Sequence, residues 1–130
     1  MQKYLAVLLV AIVTLFGCAA PTAPVVTLQS PANGNTVSSL TPILAWSCTE
    51  PDASYELQIA TDNNFQNLVV ADTSISGPSY STPSGKLTNE KAYFWRVKAN
   101  KDGQSSDWTP YWAFQTPKPD IPTPEPGTVV

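Results

Sequence analysis

Histidine is missing from all 130 residues. The commonest general base and the commonest metal ligand are therefore absent. That speaks against ordinary hydrolase or metalloenzyme chemistry and leaves carboxylates as the acid–base groups. Charge is scarce as well. Asp, Glu, Lys and Arg together make up 13% of the chain, about half the usual share. The formal charge is −3, and the few Lys and Arg are scattered, so there is no basic stripe for nucleic acid. The two cysteines, Cys18 and Cys48, stand far apart with no Cys-Cys or Cys-His spacing, which gives no basis for a metal, a redox centre or any other cofactor. No segment holds a sustained helical period.

What is present begins with an apolar leader. Leu5 to Phe16 is a nearly unbroken hydrophobic run of about a dozen residues. That is short of the ~20 that a membrane-spanning helix needs. With Lys3 as a positive n-region, it fits the h-region of an export signal. The run ends in Leu15-Phe16-Gly17-Cys18, which resembles the lipobox of bacterial lipoproteins, with Leu15, Gly17 and Cys18 matching and Phe16 bulkier than the residue usual there. The alternative is an ordinary signal peptide cut after Ala20, with Cys18 and Ala20 as its small residues. The lipobox resemblance implies removal of residues 1–17 and lipidation of Cys18, hence a membrane contact through lipid chains, of which two or more hold firmly. With Lys3 removed, the formal charge would pass from −3 to −4. Ala19, in place of an Asp, leans the same resemblance toward the outer membrane or cell surface.

Residues 18–24, with "AAPTAP" after Cys18, read as a short tether. From Val25 onward, brief alternating runs are separated by the turn clusters "SPANGNT", "TEPD", "TDNN", "SGPS", "PSGK" and "NKDGQ". This spacing suits a β-sandwich. Seven strands are expected, at Val25–Gln29, Ile43–Cys48, Tyr55–Thr61, Leu68–Asp72, Ser79–Thr82, Tyr93–Asn100 and Tyr111–Thr116, in one domain spanning residues 25–117. Alternation puts Cys48 on the face of Leu44 and Trp46, as a buried and inert thiol. Residues 118–130 continue a Pro-rich stretch. Five of the thirteen prolines lie from Pro117 onward. That composition favours disorder or extended polyproline II, as a loose end, a spacer or a ligand for a Pro-accepting groove.

The stretches "SPANGNTVSSLTPILAWS", "YELQIATDNNF" and "YFWRVKANKDGQSSDWTPYWAFQT" together resemble the fibronectin type III modules of bacterial exported proteins. The resemblance covers Val25 to Thr116. It matches a core Trp on the second strand with Trp46, the Y-x-L-x-I of the third strand with Tyr55, Leu57 and Ile59, and the Leu and Tyr of a tyrosine corner with Leu87 and Tyr93. It implies an all-β, seven-stranded fibronectin type III or immunoglobulin-like sandwich without an inter-sheet disulfide, acting as a non-catalytic binding or spacer module. The Arg-Gly-Asp of some relatives has no counterpart in "NKDGQSSD".

Seven of the chain's aromatics crowd between Tyr93 and Phe114. Alternation assigns Tyr93, Trp95 and Val97, with Trp112 and Phe114, to the core. It leaves Phe94, Trp108 and Tyr111 on or beside the outer face, near Arg96, Glu56 and Gln58. Trp108 there either stacks on Arg96 or Lys98 as a cation–π contact or joins Phe94, Arg96 and Tyr111 in holding a sugar or peptide. Asn100, Asp102 and Asp107 offer oxygens but lack the spacing of a calcium loop; a hairpin at Asp102-Gly103 explains them better. Glu50 and Asp52 read as solvated loop charge, because acid–base carboxylate pairs face each other across a cleft. The expected partners are the membrane, through lipid, and an unidentified protein or glycan at the envelope.

Overall fold

The computed structural model describes residues 22–120. The leader, the lipidation candidate Cys18 and most of the Pro-rich tail lie outside the described residues. Nine strands follow in order: β1 (Val26–Ser30), β2 (Asn35–Thr36), β3 (Ile43–Cys48), β4 (Ser54–Ala60), β5 (Leu68–Ile75), β6 (Ser79–Ser81), β7 (Ala92–Lys101), β8 (Gln104–Ser105) and β9 (Trp112–Gln115). They form two sheets, a small one ordered β1-β3-β6 and a large one ordered β2-β9-β7-β4-β5, with β8 folded onto β7. Seven strands are those the alternating runs foretell. β2 and β8 are additions of two residues each, too short to carry any periodicity, and both lie inside stretches that read as turns.

The core is built by alternation. On β7, Tyr93, Trp95, Val97 and Ala99 are buried while Phe94, Arg96, Lys98 and Asn100 are partly exposed. On β4, Tyr55, Leu57 and Ile59 are buried between the sheets, opposite Leu44 and Trp46 of β3. The Trp46 ring meets Tyr55 edge-on at 5.3 Å, and Tyr93 stacks with Phe114 at 5.8 Å. Such rings bury ~150–250 Å² each, the main apolar burial a small domain has. Two residues are less enclosed than alternation alone expects. Trp112, at the start of β9, is half-buried and packs on the core, crossing Trp95 at 90°. Cys48, the last residue of β3, is a free, half-buried thiol packed against the core.

Three local devices set the connections. Asp102 and Gly103 both have positive φ, 50° and 77°, between the paired Lys101 and Gln104. A two-residue turn of that kind matches the twist of the strands it joins. The Tyr93 hydroxyl accepts a 2.9 Å hydrogen bond from the Thr88 N–H, with Leu87 buried alongside. This pins the crossover into β7. Finally, β1 pairs with β3 as far as Ser30 through a register shift after Leu28. The chain then passes to the other sheet, where β2 runs parallel to β9 and Asn33 Oδ1 accepts from Ala113 N–H at 2.8 Å.

These pairings place the two ends of the described chain at opposite poles. Val25 enters beside Thr49, bonded to it in both directions, at the pole that holds the 49–53 loop and the Asp102-Gly103 turn. β1 runs from there toward the pole where β2 meets the end of β9. At that second pole, Pro117 accepts hydrogen bonds from Glu90 N–H and Asn89 Nδ2, and the chain leaves toward the tail. β7, at ten residues, spans ~33 Å between the poles at the usual ~3.3 Å per residue.

Candidate functional site

The outer face of the large sheet carries the candidate side chains. On neighbouring strands, Glu56 lies directly opposite Lys98 and Gln58 directly opposite Arg96. Facing pairs of this sort interact. The Lys98 ammonium sits 3.4 Å from the Glu56 carboxylate, which also accepts from Asn100 Nδ2 at 3.0 Å. Arg96 donates through Nε and Nη2 to the one oxygen Gln58 Oε1, at 2.9 and 2.7 Å.

Trp108 is brought over this face by its neighbour. Thr109 N–H donates to the Val97 carbonyl at 2.9 Å, and Val97 N–H donates to Thr109 Oγ1 at 3.1 Å. The indole then lies 4.6 Å from the Arg96 guanidinium and 5.1 Å from the Lys98 ammonium. Trp108 thus stacks on both cations. Pro110 follows, and regular pairing resumes only at Trp112, so Tyr111 stands just outside the strand that the alternating pattern includes it in.

Phe65 completes the cluster, and nothing in its surroundings marks it in the sequence. It sits in the turn between β4 and β5. Asp62 accepts backbone hydrogen bonds from Gln66 at 3.0 Å and Asn67 at 2.8 Å. Phe65 itself takes φ = 56°, an uncommon conformation for a bulky residue, held only where the surroundings enforce it. The turn lays the Phe65 ring under Arg96, 4.0 Å from its guanidinium carbon. Phe65 is buried but outside the cluster between the sheets. Tyr111 meets Phe94 edge-on at 5.5 Å and Phe65 at 6.3 Å, and its hydroxyl accepts a long 3.4 Å contact from Asn63 Nδ2.

The result is a ladder that runs from polar to aromatic rungs: Asn100, Glu56, Lys98, Trp108, Arg96 with Gln58, Phe65, Tyr111, Phe94. All four outer-face candidates Phe94, Arg96, Trp108 and Tyr111 belong to it. Burial lowers the pKa of the Arg96 guanidinium from its ordinary value, and the group stays charged at any ordinary pH. The two backbone donors, Gln66 first and then Asn67, hold the Asp62 carboxyl below the usual range. Most ring faces and polar groups of the ladder have partners within it. Tyr111, 44% exposed, is the ring most open to solvent. Asn100 is engaged by Glu56 and Ser105, and Asp102 is an exposed turn residue with φ = 50°. Among the described residues no three of Cys, Asp and Glu gather as a metal group.

The sandwich is similar to fibronectin type III domains of known structure. A fibronectin type III-like protein from Clostridium thermocellum aligns with a TM-score of 0.52 at 20% identity, over 79% of this chain and all of that one. The fibronectin type III domain of human fibronectin type III domain containing protein 3 gives 0.54 at 17%, over 79% and 92%. A fourth such domain of a human protein gives 0.55 at 19%, over 82% and 88%. At these identities the likeness concerns the fold. No protein-family model and no curated protein matches the sequence.

Proposed function

We propose that the chain is a non-catalytic lipoprotein of the bacterial envelope, anchored through Cys18, whose fibronectin type III-like domain is a spacer and interaction module holding the Pro-rich segment 118–130 away from the membrane. The observation that carries this reading is the placement of the chain ends. The tether enters beside Thr49 at one pole and the tail leaves past Pro117 at the other, so the tail begins a strand length, ~30 Å, from the entry point. The segment it presents is rich in proline, suited to an extended conformation that grooves recognise at low entropic cost. The outer-face ladder is consistent with a structural role, because its groups are spent on one another. A glycan-contacting role for Phe94, Trp108 and Tyr111 is left with Tyr111 as its one widely exposed ring.

Two experiments test the reading. Globomycin blocks the lipoprotein signal peptidase and should make the unprocessed precursor accumulate; normal processing under the drug would remove the anchor. Site-specific crosslinking from the tail in intact cells should give adducts that vanish when residues 118–130 are deleted. Those adducts should persist when the sandwich is exchanged for an unrelated module of equal length. Loss on exchange would move the binding role from the tail to the domain.

A further inference from the structure

The pole that receives the tether is also the pole with an open apolar groove. Pro24, Val25 and Val26 form one wall and Trp108, Thr109 and Pro110 the other, around about 320 Å³. A second groove of about 200 Å³ continues it past Val26 to Leu28 and Trp112. It exists because β1 and the run into β9 belong to different sheets and are not bonded to each other until β2 closes the seam lower down. Pro24 is fully buried, whereas Val25, next to it, is 59% exposed. Trp108 is half-buried, its ring lying beside Arg96 and Lys98.

We infer that this groove is a lipid-facing surface: its rim of Val25, Trp108 and Pro110 rests on the phospholipid surface of the membrane that holds Cys18. The inference rests on the anchoring proposed above. Pro24, which is buried, lies six chain steps from Cys18, so the groove stays within ~20 Å of the lipidated residue at ~3.3 Å per step. Proline, valine and an aromatic ring with a polar edge suit the boundary between headgroups and acyl chains. The rim is too small to bind a vesicle by itself. A short tether changes that, because it makes the contact intramolecular at an effective concentration in the millimolar range. Asp107 lines the groove and Glu50, Asp52 and Asp102 stand in the neighbouring loops, while Arg96 and Lys98 lie against Trp108 and Lys101 flanks the Asp102 turn. Charge of both signs therefore surrounds the rim, and its apolar side chains carry the contact. The sandwich then stands on its β1–β9 seam with the tail pole outward.

The test uses the full chain made with its own leader and reconstituted in phosphatidylcholine vesicles whose acyl chains are brominated. Intact mass of the purified protein first reports whether Cys18 carries lipid. In the lipidated protein, bromine should quench part of the tryptophan emission. Trp108→Phe should remove most of the quenchable part. Val25→Asp, a change at an exposed side chain that leaves the fold intact by circular dichroism, should cut quenching at least twofold. Protein that is lipidated and vesicle-bound, yet unquenched or equally quenched in Val25→Asp, overturns the lipid-facing groove and leaves the anchor standing. A mass without lipid overturns the anchor and the groove together.

Discussion

Arg96 and Phe65 meet across the outer face of the large sheet, guanidinium carbon to ring centroid at 4.0 Å, although one comes from the middle of a strand and the other from a turn. Gln58 holds the guanidinium from the side with two hydrogen bonds, and Trp108 lies on it at 4.6 Å. The residue is therefore positioned by contacts to three other segments of the chain, and its replacement should be felt as lost stability.

Arg96→Ala should destabilise the domain by about 1–3 kcal/mol, the sum of a charged hydrogen-bonding pair and partly desolvated cation–π contacts. Arg96→Lys should recover less than half, since an ammonium cannot lie flat between rings and bond Gln58 through two nitrogens. A double-mutant cycle with Trp108→Ala, read by urea denaturation, should give a coupling of about 0.5–1.5 kcal/mol. Additivity would mean the stacking contributes nothing.

Tyr93→Phe keeps the ring stacked on Phe114 but leaves the part-buried Thr88 N–H without its acceptor. The expected cost is about 1–2 kcal/mol, with an unchanged far-ultraviolet spectrum. A loss below about 0.3 kcal/mol would show that water replaces the corner acceptor.

Asp62 makes a pH signature. Its carboxyl is held below its ordinary range by the Gln66 and Asn67 N–H groups. A group with a depressed folded pKa stabilises the protein above its unfolded value, near 4, and loses that contribution as pH falls through the folded value. Asp62→Asn should therefore lower Tm at pH 7, and the gap from the unaltered chain should close as pH drops below about 4. A gap that stays constant with pH would dismiss the carboxylate's charge as the cause.

Tyr111→Ala separates structure from binding. With 44% of the side chain exposed and a single long hydrogen bond, its loss should cost less than Phe65→Ala, for which about 3–5 kcal/mol is usual at a buried aromatic. If Tyr111→Ala leaves stability near its starting value but abolishes retention on a glycan array, the exposed ring is a contact; retention unchanged removes it.

The parts of this arrangement legible in the sequence are those with a period. Tyr93, Trp95 and Val97 alternate strictly with Phe94, Arg96 and Lys98, and a strand has only two faces, so inside and outside follow. The Asp102-Gly103 turn is legible because few residue pairs accept two positive φ angles. Phe65 is not. It sits in "TDNNFQN", where the turn signal masks the ring, and its position under Arg96 depends on a left-handed backbone angle that no residue preference for Phe foretells. β2 and β8 escape because two residues have no alternation to read. Trp112 and Cys48 are the first and last residues of their strands, and their half-exposure depends on what the rest of the chain packs over a strand end, which alternation does not encode.

The passage of the chain from β1 into β2 has a mechanical meaning. A pull between the entry pole and the exit pole acts along the strands. It draws β2 up through β1 while drawing β9 down through Pro117, so two parallel neighbours must slide past each other. Their bonds, with the Asn33–Ala113 bond beside them, are loaded in shear and share the force, whereas a hairpin peeled from one end would break them in turn. The domain should bear tension without extending and then yield in a single step at a rate set by the unfolding barrier. Asn33→Ala should lower that yield force in single-molecule pulling while changing equilibrium stability little. Under tension between the two poles, this seam behaves as a catch against stretching.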